Sequence, residues 1–343
     1  MPSPIEIPCS NIRVDDFKSK VPLFKSKTYL LTHFHADHYL NLGESWEGAD
    51  ILCSPQTAKL VTRILGVSER FVKIVPMRKI VNISKDVKLY FLDANHCPGA
   101  IVAVVFVKDR VFVHTGDMRA SREMIENDSV LTSLGEKKGQ PEVIYLDTTY
   151  ANPKHDLPDR HECVKWIGDL FEREVLERNK GSRVLFVVVT YLMGKERILE
   201  EIEERMSEIK NGTFLVSERK CRVLRLLDNL SERFKSRLRI VDDDYVIKED
   251  SKIVRVLSWG KAGQFVPGGW RFDADYGFLS CLQKKMCAEK TIVIVPTGTT
   301  IYLNIPPISL MNYNTHTHTH THIYRMDLFL KIELKARNSI SMQ

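Results

Sequence analysis

Thr32-His33-Phe34-His35-Ala36-Asp37-His38 sets three imidazoles and a carboxylate within the six consecutive positions 33–38. The stretch follows an apolar, β-prone run, Tyr29-Leu30-Leu31. A strand that stops abruptly in such a cluster presents it on a loop at a sheet edge, where binding and catalytic groups concentrate. Neutral imidazole and carboxylate are ligands of zinc and similar borderline metals. Side chains alternate faces in an extended segment, so His33 and His35 point the same way. Asp37 and His38 then turn into the next element and can face a second metal. The spacing suits two metals side by side rather than one closed structural site.

Moving outward, the same pattern recurs. A short strand is expected at 51–53, then a helix at 57–65 opened by Pro55 and Gln56, with Ala58, Leu60, Val61, Ile64 and Leu65 at helical spacing. Further β-like runs lie around 72–75 and 80–83. Residues 87–94 partly alternate apolar and polar, as a half-buried strand does, and end in Asn95-His96-Cys97-Pro98-Gly99. Residues 101–107 are wholly apolar; 111–114 close on Thr115-Gly116-Asp117; 143–146 end at Asp147-Thr148-Thr149-Tyr150. Alone, His96 reads as a hydrogen-bonded loop histidine and Asp117 as a turn former. Together, strand after strand ends in His or Asp, and a sheet sets such ends side by side. His33, His35, Asp37, His38, His96, Asp117 and Asp147 can therefore converge.

From Leu157 the character changes. A long amphipathic helix is expected from Pro158-Asp159 to about Asn179, and 183–190 reads as a buried strand of a parallel sheet. Tyr191-Leu192-Met193-Gly194-Lys195-Glu196 follows, then a charged helix to about Lys210 and strands near 213–216, 253–257 and 291–295. This alternation marks a second α/β unit.

Hydrophobic residues make up 43% and charged residues 27% of the 343-residue chain, the composition of a globular protein. No apolar run is long enough to span a bilayer, and the first residues lack a signal peptide's basic and apolar regions. The seven scattered cysteines form no C-x-x-C pair and fit reduced thiols in a cytosolic or nuclear compartment. A net charge of +6 is a mild bias towards polyanionic partners.

The set H-F-H-A-D-H, A-N-H-C-P-G, H-T-G-D and L-D-T-T-Y, in this order, resembles the metallo-β-lactamase-fold nucleases of the β-CASP type. Within them it is similar to the DNA cross-link repair branch, the SNM/Artemis/Pso nucleases, and to the nuclease domain at the N-terminus of some plant DNA ligases. Ile7-Pro8, Val14-Asp15-Asp16-Phe17 and T-Y-L-M-G-K-E at 190–196 add to the likeness, which covers about residues 5–298.

The resemblance implies an α/β fold: a metallo-β-lactamase αββα sandwich with its C-terminal part missing, and an inserted β-CASP α/β domain. The expected division is 1–150 metallo-β-lactamase-like, 151–298 β-CASP-like and 299–343 a low-complexity tail outside the family. By the same resemblance His33, His35, His96 and Asp117 hold a first zinc. Asp37, His38 and a shared Asp117 face a second divalent metal, and Asp147 supports the site or takes part in proton transfer. The implied reaction is hydrolysis of DNA phosphodiesters from 5′-phosphorylated ends in interstrand cross-link and double-strand-break repair. The implied setting is a nuclear monomer, in contact with DNA and other repair proteins and with no membrane. Catalysis falls to Asp37, Asp117 and Asp147. Phosphate binding falls to Lys195 and Gly194, with Thr148, Thr149 and Tyr191 as hydrogen-bond donors. Lys195 also reads as a solvated first-turn residue, and Arg119 as either a phosphate contact or a partner for a nearby carboxylate.

The pattern breaks after Val295-Pro296-Thr297-Gly298. The family continues to an S-x-H-S-S motif whose histidine completes the second metal site; no such motif follows here. Instead the tail carries Thr-His repeats from Thr315 to His322, which a simple nucleotide repeat would encode. The expectation is an exposed sheet edge and weak or no turnover in this form. An RNA-processing β-CASP nuclease and a non-catalytic DNA-binding form are the competing classes. A lactam or thiol-ester hydrolase of the parent fold fits the inserted region less well.

Overall fold

The structure is a computed structural model. It describes residues 5–17, 28–135, 139–149, 151, 159–177, 183–209, 211–241, 252–265, 272–296, 301–305 and 324–325. The Thr-His run, Tyr150, Thr297 and Gly298 lie outside the described residues. The chain divides into two compact units, Met1–His155 with Leu226–Asn229, and Asp156–Arg225 with Leu230–Gln343.

The first unit holds two five-stranded sheets. One contains β1 (Ile5–Ile7), β2 (Ile12–Val14), β3 (Thr28–Leu30), β4 (Ile51–Cys53) and β5 (Val72–Ile74) in that order. After the antiparallel β1–β2 pair, its neighbours run parallel. Helix α1 (Pro55–Leu65) joins β4 to β5. Its start is set by Ser54, whose hydroxyl accepts from the Thr57 N–H, with Pro55 in the first turn where no donor is needed. Its end is set by Gly66 in the left-handed region.

The other sheet has the order β10-β9-β8-β7-β6. It is built from β6 (Val81–Asn82), β7 (Val87–Asp93), β8 (Ile101–Val107), β9 (Arg110–His114) and β10 (Val143–Tyr145). Short helices α2 (Arg122–Glu126) and α3 (Ser129–Leu134) precede β10. Ile7, Ile12, Val14, Leu30 and Leu52 of the first sheet share one buried cluster with Leu89, Phe91, Ala103, Val105 and Phe112 of the second. The two sheets thus pack face to face, which explains why β8 reads as an unbroken apolar run: it lies in the middle of the sandwich. β10 is an edge strand; Ile144 on it and Leu146 just after it are 54% and 58% exposed.

The second unit is a largely parallel seven-stranded sheet of order β13-β12-β14-β11-β17-β18-β19. Its strands are β11 (Val184–Thr190), β12 (Gly212–Val216), β13 (Leu238–Ile240), β14 (Lys252–Ser258), β17 (Lys290–Val295), β18 (Ile301–Ile305) and β19 (Tyr324–Arg325). A small hairpin pairs β15 (Gly263–Phe265) with β16 (Phe272–Ala274). The helices are α4 (Arg160–Phe171), α5 (Glu196–Arg205), α6 (Glu218–Leu226), α7 (Glu232–Ser236), α8 (Trp259–Ala262) and α9 (Tyr276–Lys285). Every residue of β11 is buried, with β14 and β17 parallel on either side. β18 and β19 add antiparallel strands beyond β17, drawn from the segment read as a tail. No described helix is long and apolar enough to cross a membrane.

Candidate metal centre

The ligand loops follow β3, β7 and β9. β3 lies in one sheet, whereas β7, β9 and β10 lie in the other. The convergence expected at neighbouring strand ends of one sheet is therefore made between two sheets. Within the second sheet, β7 and β9 both run opposite to β8, and β10 runs with β9, so their C-terminal ends share one side. Across the sandwich, the Ile101 N–H donates to the Thr32 carbonyl at 3.1 Å and stitches the two sets of loops together. Two glycines permit the close approach. Gly116 has φ +55, and a Cβ there would lie 3.0 Å from Thr32 Cβ and 3.2 Å from the Ile101 carbonyl. Gly99 has φ +83, and a Cβ would meet Gln56, Ser54 and Thr57 at 2.9–3.0 Å.

His33 Nε2 and His35 Nδ1 stand 2.9 Å apart, and His96 Nε2 is 3.2 Å from His35 Nδ1. Asp117 Oδ2 lies 3.8 Å from His33 Nε2 and 3.7 Å from His96 Nε2. His33 is buried, and that burial, with His38, His35 and His96 around it, holds its imidazole well below the usual range. It is therefore neutral, the form that binds metal. Ring nitrogens this close repel one another unless a cation or a proton lies between them. Three imidazoles and a carboxylate are also the donor set of hydrolytic zinc centres. The residues fit a divalent metal. Among the described residues two groups can close around one: His33, His35, His96 and Cys97, or His33, His38 and Asp117.

His38 is the pivot of the second group. Its Nδ1 bonds Asp15 Oδ2 at 2.7 Å, and its Nε2 lies 3.5 Å from Asp117 Oδ1 and 3.6 Å from Asp37 Oδ2. Burial alone would lower its pKa, but the carboxylates of Asp117 and Asp15 outweigh burial and raise it to about 10. Asp117 responds in kind: burial pushes its carboxyl up, His38 pulls it further down, and the net shift is downward. Asp15 was not read as a functional residue from the sequence. Its oxygens also accept from the Thr32 N–H at 2.8 Å and the Thr32 hydroxyl at 2.6 Å. It fixes both the histidine loop and the ring nitrogen that His38 turns to the site. The available signal was an Asp directly after the strand 12–14, at left-handed φ 51.

The remaining sequence-derived residues fall around this centre or outside it. Asp37 is 82% exposed at the rim. Asp147 is committed to the loop backbone: Oδ2 accepts from the Met118 N–H at 3.0 Å, and Oδ1 from the Thr149 N–H and hydroxyl at 2.9 and 2.7 Å. It holds the segment that carries Asp117 and joins neither ligand group. Thr148 and Thr149 are exposed beside it. The Arg119 backbone is pinned to the His96 loop, donating to the Ala94 carbonyl and accepting from Asn95 Nδ2. His114, which the sequence reading passed over, is buried and takes the Gly116 N–H on Nδ1 at 3.0 Å; burial lowers its pKa.

Tyr191, Gly194 and Lys195 belong to the second unit, after β11. Tyr191 is 51% exposed, and Lys195 caps α5 at φ 71. The turn is braced by residues the sequence did not single out. Both Glu196 carboxylate oxygens accept from the Gly194 N–H, at 2.8 and 2.9 Å. Buried Lys220 donates to Glu196 Oε1 at 3.2 Å and to the Tyr191 carbonyl at 2.9 Å.

No family model matches the chain. Among characterised proteins it is 33% identical over 306 residues to DNA ligase 6 of Arabidopsis thaliana, covering 88% of this chain and 20% of that protein. It is 33% identical over 207 residues to the DNA cross-link repair protein pso2/snm1 of Schizosaccharomyces pombe, covering 59% of this chain and 35% of the relative. It is 31% identical over 206 residues to the 5′ exonuclease Apollo of Mus musculus, covering 58% and 35%. The chain spans from a fifth to about a third of the length of these relatives. It is thus similar in sequence to DNA cross-link repair proteins and to a 5′ exonuclease.

Proposed function

We propose that the chain is a zinc-dependent phosphodiesterase acting on DNA from 5′-phosphorylated ends, within a nuclear repair pathway for cross-links and double-strand breaks. The fold that goes with it is an αββα metallo-β-lactamase sandwich at about 1–150 with a β-CASP domain inserted at about 151–298. The observation that carries the reading is the meeting of His33, His35 and His96 ring nitrogens with Asp117 at one point of the sandwich. When bound there, zinc supplies Lewis acidity, so that water ionises at neutral pH and a phosphoryl oxygen is polarised. The protein's own groups do the rest. Exposed Asp37 accepts the proton of the attacking water and orients it. His38, turned by Asp15 and giving up its ring proton as the metal binds, would hold a second divalent ion with Asp117. Asp147 keeps the Asp117 loop in place. In the second unit Lys195, after Tyr191 and Gly194, is assigned to a DNA phosphate, as are Thr148 and Thr149 in the first; a cation in such a role binds phosphate with strong salt dependence. The protein acts as a monomer and meets other repair proteins.

Oligonucleotides of one sequence test this, as 5′-phosphorylated DNA, 5′-hydroxyl DNA and 5′-phosphorylated RNA. The expected result is cleavage of the phosphorylated DNA fastest, lost in Asp37→Ala. Equal cleavage of RNA would favour an RNA-processing enzyme. Metal-dependent DNA binding with no cleavage would make the chain a binding form, consistent with the missing S-x-H-S-S histidine.

A further inference from the structure

Cys97 sits inside the ligand cluster, and no part of the proposed reaction uses it. It is buried at 8% exposure, and its sulfur lies within 4.8 Å of a ligand nitrogen on each of His33, His35 and His96. The loop that carries it is held on both sides. Asn95 N–H donates to Asp93 Oδ1 at 2.6 Å, and the Ala94 N–H donates to the Ala100 carbonyl at 3.0 Å. The Cys97 carbonyl accepts from the Ala100 N–H at 3.0 Å, and the Gly99 carbonyl accepts from the Ser54 and Thr57 hydroxyls at 2.7 and 3.1 Å. The backbone that carries the sulfur is thus a braced turn. Asp117, the other candidate fourth donor, meets the imidazoles in a separate group with His33 and His38.

We infer that Cys97 is a metal ligand: His33 is shared between two donor sets, a thiolate mode with His35, His96 and the soft sulfur of Cys97, and a carboxylate mode with His38 and the hard carboxylate of Asp117. As the metal–sulfur bond forms, the thiol proton passes to solvent. Three nitrogens and one thiolate make a set that takes zinc, cobalt or cadmium and rejects magnesium and manganese, which prefer all-oxygen surroundings. The carboxylate mode serves the two-metal arrangement with His38. The inference rests on the metal reading of this cluster, but not on DNA as substrate.

The test is spectroscopic. The purified chain, stripped of metal, is titrated with cobalt(II) chloride while the near-ultraviolet and visible spectra are recorded. The expected result is visible d–d bands together with a thiolate-to-cobalt charge-transfer band. That band is lost in Cys97→Ser and retained in Asp117→Asn and in Cys287→Ser. X-ray absorption at the zinc edge of the unmutated, zinc-loaded chain needs no variant, and is expected to show a sulfur neighbour at about 2.3 Å. Visible bands without charge transfer, or a nitrogen and oxygen shell alone, would overturn the role of Cys97 and leave the histidine–carboxylate site standing. Charge transfer that persists in Cys97→Ser would overturn it too. Failure to bind cobalt at all would overturn both readings.

Discussion

Asp15 shows how much a site depends on a residue that does not touch the reacting atoms. Its carboxylate fixes His38 through Nδ1 and Thr32 through both the backbone and the hydroxyl. Partners of this kind orient a ligand ring and raise its basicity, and their loss typically costs about 10- to 100-fold in metal affinity. Asp15→Ala is expected to weaken zinc by that factor in a competitive chelator titration while the far-ultraviolet circular dichroism stays the same; unchanged affinity would contradict the role. Gly116→Ala places a Cβ against Thr32 and the Ile101 carbonyl at a left-handed φ. It is expected to cost about 1–3 kcal/mol in urea unfolding and to weaken metal binding with it. The histidines and Asp117 were legible because they combine ligand chemistry with strand ends, two signals that coincide in sequence. Asp15 and Cys97 were not. Each lies in a stretch that carries the family likeness, but each acquires its position from backbone turns and from contacts with residues far along the chain.

A second buried polar link joins β7 to α3. Tyr90 on β7 donates its hydroxyl to Asp128 Oδ2 at 2.6 Å, and Asp128 Oδ1 caps α3 by accepting from the Val130 and Leu131 N–H groups at 3.1 Å. Burial, with the Asp128 carboxylate beside it, pushes the Tyr90 phenol up to about 12. A folded-state pKa above the unfolded value near 10 means that the native state holds the proton more tightly. The resulting stability is fully present below about pH 10 and fades as pH rises through about 12. Tyr90→Phe should therefore lose about 1 kcal/mol at pH 8, with the gap to the parent narrowing in unfolding curves taken between pH 10 and 12. A gap constant over that range would refute it. Asp128→Ala removes the cap and leaves the phenol unpaired, so it is expected to cost more, about 2 kcal/mol.

At this scale the sequence was a good guide where the apolar period is clean. The strands expected at 51–53 and 101–107 are β4 and β8, and 57–65 falls within α1. It was a poorer guide where charge or irregularity hides the period. The helix expected to reach Asn179 gives way after α4 to a π-helical turn at Glu172–Glu177, whose wider winding brings neighbouring Glu174 and Val175 both inward. There Glu174 meets the Lys290 ammonium at 2.6 Å, a partner 116 residues away. α6 went unread because its exposed face is densely charged, and α9 because Gly, Ser and Cys interrupt its apolar stripe.

For the whole molecule, the α/β character was legible from strand–helix alternation. The parallel sheet was legible from the unbroken apolar run that became β11. What the alternation did not carry was the partition of the first unit's strands into two sheets. Strand order is decided by long-range pairing, and periodicity records only which faces are buried. That partition matters for function, since the ligands come from both sheets and the site exists only while the sandwich is closed. Unfolding of the first unit and loss of metal are therefore expected to coincide. Saturating zinc should raise the melting temperature of the parent chain and leave that of His33→Ala unmoved, in differential scanning calorimetry.

The most direct measurement is a single-turnover cleavage assay on 5′-phosphorylated single-stranded DNA, with bound zinc quantified on the same sample, for the parent chain and Asp117→Ala. The expected result is bound zinc with weak, metal-dependent release of 5′-terminal nucleotides in the parent, and loss of cleavage in the variant. Cleavage that survives Asp117→Ala or metal chelation, or zinc bound with no cleavage by the parent, would contradict the assignment of this site as the centre of a DNA nuclease.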